Sequence, residues 1–247
     1  MDNEKILKKH PPHIREVNLN LKKIIITLFS IEACLTLSDI TCQLSRFIFG
    51  HDYLKGLVPF FDLSNELNLP AFFSSTLMLC IASLLAIICI LNTRNRLPHK
   101  WKWRSLLFGF IYMAYDEAFS VHEKLTAPIV AILESPNLGL FHYAWTIPAS
   151  ILVFALTLYF YKFILSLSIE IRRLFLISGT TYLCGAIGFE LIEGKYDELY
   201  GLNNLTYQLL VATEETLEMT GLILFIYSLS KYLLDTYGEI ILSEGKP

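Results

Sequence analysis

Six long apolar runs divide the chain, at about 23–47, 70–91, 104–124, 142–166, 172–193 and 206–234. Each is near or above the roughly 20 residues with which an α-helix crosses a hydrocarbon core of about 30 Å. They predict an all-α polytopic membrane fold of six transmembrane helices. Polar breaks rich in Asn, Gly and Pro separate the runs: "NLNLP" before the second, "NTRNRLPHKWKWR" after it and "ESPNLGLFH" before the fourth. Pro70 opens the second run, a position where its missing N–H costs nothing. Segment 51–69 mixes aromatics and Leu with acids, the pattern of a short amphipathic helix lying along the interface. The organisation predicted is a basic tail at 1–22, one transmembrane domain at 23–234 and a C-terminal tail at 235–247.

Composition strengthens this reading. Hydrophobic residues make up 54% of the 247, charged residues only 17%, and the mean hydropathy is +0.49. A soluble domain of this size needs more charge to cover its surface. The first run follows mostly polar residues, contains Glu32 and Asp39 and has no small-residue cleavage site, so it reads as a retained signal anchor. Five cysteines lie inside apolar runs without a C-x-x-C, which predicts buried single thiols instead of disulfides or a zinc knuckle.

The distribution of charge sets a direction. Lys5, Lys8, Lys9, Arg15, Lys22 and Lys23 precede or open the first run, and Arg94, Arg96, Lys100, Lys102 and Arg104 lie between the second and third. Arg172 and Arg173 flank the loop before the fifth, whereas the alternate loops hold only Lys55, Lys124 and Lys195. By the positive-inside rule both termini are cytoplasmic, in an inner (plasma) membrane. This asymmetry also accounts for the basic tail, so no nucleic-acid partner is implied.

Against this background the acids stand out. "AYDEAFSVHE", residues 114–123, carries Asp116, Glu117, His122 and Glu123 inside an apolar run. Asp116 lies about 18 Å along the third span from Arg104, and Glu214, Glu215 and Glu218 lie roughly 12–18 Å from the outer end of the sixth. Glu190 and Glu193 close the fifth, and Glu32 and Asp39 occupy the first. On continuous helices Asp116, Ser120 and Glu123 form one stripe, with His122 turned away toward a neighbouring helix. Such stripes should face the bundle interior or a water-filled cavity. Ten outer-half acids meet only Arg46, Lys124 and Lys195, so they must be protonated, hydrated or bound to cations.

Two chemistries come close to known motifs. Glu214-Glu215 resembles the E-E-x-x-x-R of CAAX-type intramembrane proteases, but Met219 stands where that motif has Arg. Carboxylate-bridged di-iron bundles use Glu-x-x-His on two helices, whereas Glu117 and His122 are five apart. The doublets Asp116-Glu117 and Glu214-Glu215 fall on the third helix of each half, as in inverted-repeat transporters. "DLSNELNLPAFFSS", "YDEAFSVHE", "GAIGFELIE" and "EETLEMTGLILFIY" resemble stretches of uncharacterised bacterial multi-pass membrane proteins, over about residues 60–230. That resemblance implies a six-helix inner-membrane protein and carries no activity.

The leading expectation is an outward-facing intramembrane site for a divalent cation, or a proton relay, serving transport or sensing. Its candidate ligands are Asp116, Glu117, His122, Glu190, Glu214 and Glu218. Oxygen ligands favour Ca²⁺, Mg²⁺ or Mn²⁺, and His122 would tilt the choice toward Mn²⁺, Fe²⁺ or Zn²⁺. The alternatives are a metal-dependent membrane enzyme acting on a lipid or quinone, with a Glu as general base on metal-bound water, and a structural or partner subunit with protonated acids. The chain has no P-loop, dinucleotide fingerprint or nucleophile elbow, which argues against ATP-driven transport within it. The sequence sets no oligomeric state.

Overall fold

The computed structural model describes residues 20–134 and 138–238, which are helical without a strand. Most of the tails expected at 1–22 and 235–247 lies outside the described residues. Helix α1 (Leu21–Phe49) starts where the Asn20 side chain accepts from Lys23 N–H, and it ends at Gly50, whose φ of 73° is left-handed. A short helix α2 (Leu57–Phe61) leads to α3 (Leu69–Arg94), capped by Asn68, with Pro70 in its first turn. Then come α4 (Lys100–Phe119), α5 (Thr126–Leu133) and α6 (Thr146–Ser166). Ser168 caps α7 (Ile169–Leu183), which continues through a π-helical stretch, Cys184–Phe189, into α8 (Glu190–Tyr200). Asn204 caps the last helix, α9 (Leu205–Tyr237).

Among the described residues, four helices are long and apolar enough to cross a membrane: α1, α3, α6 and the continuous Ile169–Tyr200. They match the first, second, fourth and fifth apolar runs. The third and sixth runs form α4 and α9, which are long but interrupted by acids. At the centre is α9, packed against α1, α3 and α7. Its Met219, Leu222, Ile223 and Leu229 join Leu77, Ile81, Leu85 and Ile88 of α3 in one buried core. In contrast, α6 leaves Ile151, Leu152, Phe154, Leu156 and Leu158 exposed. An exposed strip of that size is a surface for hydrocarbon, not for water.

The structure corrects several expectations. The third helix stops at Phe119, short of residue 124, because Ser120 adopts a left-handed conformation (φ 46°) and turns the chain. The fifth continues to Tyr200, since the polar stretch after Glu193 packs by Gly194 against His142 and Tyr143. The expected interfacial helix in 51–69 shrinks to one 3-10 turn and the five residues of α2. Cys34, Cys80 and Cys184 are exposed, not buried, because they fall on the outer faces of their helices.

Candidate metal centre

Near the C-terminal end of α4 the bundle opens into a cavity of about 550 Å³. It is walled by Glu66 from the loop before α3, by Asp116 and Glu117 at the end of α4, and by His122 and Glu123 from the following turn. Glu190 and Glu193 of α8 and Glu214, Glu215 and Glu218 of α9 complete the ring of acids. All six sequence-predicted ligands (Asp116, Glu117, His122, Glu190, Glu214 and Glu218) therefore face one space. Glu32 and Asp39 do not. Glu32 accepts from Thr220 Oγ1, and Asp39 accepts from Gln43 Nε2 and Leu63 N–H at 3.1 and 3.4 Å, both buried outside the cavity.

The tightest group is Glu190, Glu193 and Glu214, which can each offer an oxygen within 4.8 Å of the other two. Two oxygen ligands of one divalent ion are at most about 4–5 Å apart, twice a metal–oxygen distance of about 2.0–2.6 Å, so the trio fits one ion. Glu190 Oε1 also accepts from Trp145 Nε1 at 3.0 Å, which fixes its orientation. Glu193 is 2% exposed and its Oε1 has no hydrogen-bond partner among the described residues. A buried carboxylate oxygen left without a donor is costly unless something outside the protein's own groups completes it.

The trio is brought together by the π-helical stretch. Wider turns of this kind shift the phase of the helix that follows and recur at functional sites. Gly185 within it lies so close to α9 that a Cβ would come 2.7 Å from the Glu214 carbonyl oxygen. Reciprocally, a Cβ on Gly221 of α9 would come 2.7 Å from Tyr182 N. Two small residues thus let α7 and α9 approach backbone to backbone, as in tightly packed membrane helices.

His122 does not point away from Asp116, as a continuous helix would have it. The turn at Ser120 folds it back, and its Nδ1 lies 2.8 Å from Asp116 Oδ2. Its ring sits 4.5 Å from that of Trp145, so Asp116, His122, Trp145 and Glu190 form a continuous chain across the cavity wall. With Nδ1 engaged by a carboxylate, Nε2 is the nitrogen left for a metal, the usual carboxylate–histidine–metal arrangement. Burial alone would lower the imidazole, but the Asp116 bond and the nearby Glu190 and Glu123 charges outweigh it and hold His122 above its ordinary value. In the loop before α3, burial pushes Glu66 up, with a counteracting bond from Ser120 and further repulsion from Glu123 and Asp116.

Glu66, Glu123, Glu193 and Glu215 also reach the cavity, outside the six-residue set expected. Glu193 sits one turn from Glu190 and was legible by its i, i+3 spacing; Glu66 comes from a loop and carried no signal. Tyr143 and Trp145, which open the fourth run beside His142 like an interfacial belt, turn inward. Tyr143 shares a 2.9 Å hydrogen bond with Tyr207 and donates to Asp197.

A family model described as a domain of unknown function (DUF8692) matches residues 28–232. The chain belongs to the DUF8692 family. Every residue lining the cavity lies within the DUF8692 match. No curated protein and no solved structure matches the chain.

Proposed function

We propose that this DUF8692 protein is an integral inner-membrane protein of six spans, with both termini cytoplasmic, whose outward-facing cavity binds a divalent cation in transport or sensing. One observation carries the reading. Among the described residues lining the cavity are nine carboxylates and one histidine, with no Lys or Arg. Each unneutralised carboxylate inside a bilayer costs on the order of 2.5–3.5 kcal/mol even on the lenient insertion scale, so the cavity calls for positive charge from outside the protein. Glu190, Glu193 and Glu214 are the first ligands to consider, with His122, Asp116, Glu117 and Glu218 in reach of the same space. Metal analysis of the purified protein tests this. Stoichiometric divalent metal, lost together with cavity-acid variants, is the expected result; metal-free protein that folds unchanged in chelator would overturn it.

A second reading, a metal-dependent enzyme acting on a lipid or quinone, is favoured by one feature. Leu152 lines the cavity yet is 57% exposed on the apolar face of α6. Helices α4 and α6 touch through Lys102, Trp103 and Ser105 against Tyr159 and Phe163, all at the end away from the cavity. Through Leu152 the cavity lining adjoins the apolar outer face of α6, which suits a membrane-dissolved substrate. Ion uptake into liposomes separates the readings: uptake supports transport, and metal binding without uptake supports catalysis or sensing.

A further inference from the structure

The acids of the carboxylate cavity fall into two groups. Glu190, Glu193 and Glu214 stand on α8 and α9, and Glu193 has Glu190 and Glu214 as charged neighbours. Asp116 and Glu117 end α4, and Glu66, from the loop before α3, lies near Asp116, His122 and Glu123. Glu218 links the two groups, with both Glu117 and Glu190 near it. Among the described residues only the α8–α9 trio brings its oxygens close enough together for a single ion. Acceptors without a hydrogen-bond partner nonetheless occur in both groups. One is Glu193 Oε1, on a side chain 2% exposed; the other is Asp116 Oδ1, whose sister oxygen is taken by His122. One ion at the trio therefore leaves the α4 group unsatisfied.

Size and wall chemistry agree. At about 30 Å³ per water, an ion with about six waters occupies roughly 200 Å³. The cavity, at about 550 Å³, is more than twice that. Met78, Met113, Leu183 and Ile187 give it apolar wall, and Trp145 and Tyr207 give it aromatic rings. Apolar wall packs methylene groups, and aromatic rings attract cations. Ammonium groups bond carboxylates at about 2.7–2.9 Å, and a methylene chain lets one molecule place two of them far apart. No bare ion does this.

We propose that the cavity takes a linear diamine or polyamine, with one ammonium group at Glu190, Glu193 and Glu214 and another at Asp116 and its neighbours on the α4 side. This rests on the reading that positive charge enters the cavity from outside the protein, and extends it from a metal to an organic cation.

The test is calorimetry on full-length protein in detergent, titrated separately with 1,4-diaminobutane, spermidine, butylamine and Mn²⁺. Both polyvalent amines should bind at least about tenfold tighter than butylamine, the scale of one further charge-assisted hydrogen bond. Glu193→Gln and Asp116→Asn should each weaken spermidine by at least about tenfold, because the molecule touches both groups. Glu66→Gln probes the α4 side a second time, from a loop. E170Q/D235N removes two exposed acids outside the cavity lining and should leave binding unchanged. Mn²⁺ binding without spermidine binding, or spermidine held no tighter than butylamine, overturns the proposal and leaves the metal reading standing. Spermidine binding to protein that takes no Mn²⁺ supports the proposal and removes the metal. Wild-type affinity for spermidine in both folded D116N and folded E66Q, or an equal loss in E170Q/D235N, also overturns it.

Discussion

Gly185 and Glu214 meet backbone to backbone: a Cβ placed on Gly185 would lie 2.7 Å from the Glu214 carbonyl oxygen and 2.9 Å from Glu218 Cγ. The tolerance here is zero methyl groups. Gly185→Ala should force α7 away from α9, destabilise the protein by about 1–3 kcal/mol, as overpacking does, and lower metal content with it. Gly179→Ala, on the exposed face of the same helix with nothing within 4 Å, should be neutral or stabilising, by up to about 1 kcal/mol of helix propensity. Thermal unfolding of the two variants in detergent, compared side by side, checks the contrast.

Charge is the next lever. Glu214→Gln preserves shape and removes one candidate ligand, so metal content should fall at least about tenfold, by the scale of site mutations. Glu32→Gln, buried on α1 outside the cavity, should keep full occupancy. Should the cavity acids be neutral hydrogen-bonding groups instead, Glu214→Gln would be nearly silent, because an amide both donates and accepts. Elemental analysis on folded protein decides between these outcomes.

The pH dependence of the Asp116–His122 pair follows from the raised imidazole. A His whose folded value exceeds its unfolded 6.5 contributes stability that is fully present below 6.5 and is lost as pH rises through the folded value. The raised Glu66 acts in the same direction, since its charged form is the disfavoured one. In metal-free protein, mild acidification from neutral pH should therefore strengthen this end of the bundle. Asp116→Asn should return the His122 titration, followed by NMR, toward or below its ordinary value. No shift on that substitution would mean that the 2.8 Å pair does not persist in solution.

Topology can be read with reporters. Fusions after Leu97 should report cytoplasm and fusions after Asn203 the outside. The same side for both would remove the six-span arrangement and the outward-facing cavity together.

The helices were largely legible because apolar runs of membrane length are conspicuous, and charge inside them more so. Asp116, Glu190 and Glu214 could be brought to one depth by counting 1.5 Å per residue. What failed was the reading of helix ends. Ser120 takes a left-handed turn without the glycine that usually announces one, so the orientation of His122 was inverted. The stretch "EGKYDELY" carries the polarity of a loop, yet it remains helical because Gly194 lets it pack on His142 and Tyr143. Glu66 lay beyond reach for a different reason: a loop residue joins a site through tertiary folding alone, which no periodicity encodes. Charges on α4 and α9 lowered their apolarity because those helices face the cavity.

The six-residue stretch Cys184–Phe189 works as a phase shifter. A π turn accommodates one more residue than an α turn, and one residue on an α-helix is about 100° of rotation. Were the same residues wound as uniform α-helix, α7 would run straight into α8 with every helix and every length nearly preserved. Glu190 and Glu193 would then swing about a quarter-turn away from Glu214, toward the bundle's outer face. The chain would keep its hydrophobic pattern and lose its carboxylate trio, so the facing of the acids rests on one widened turn that hydropathy cannot see.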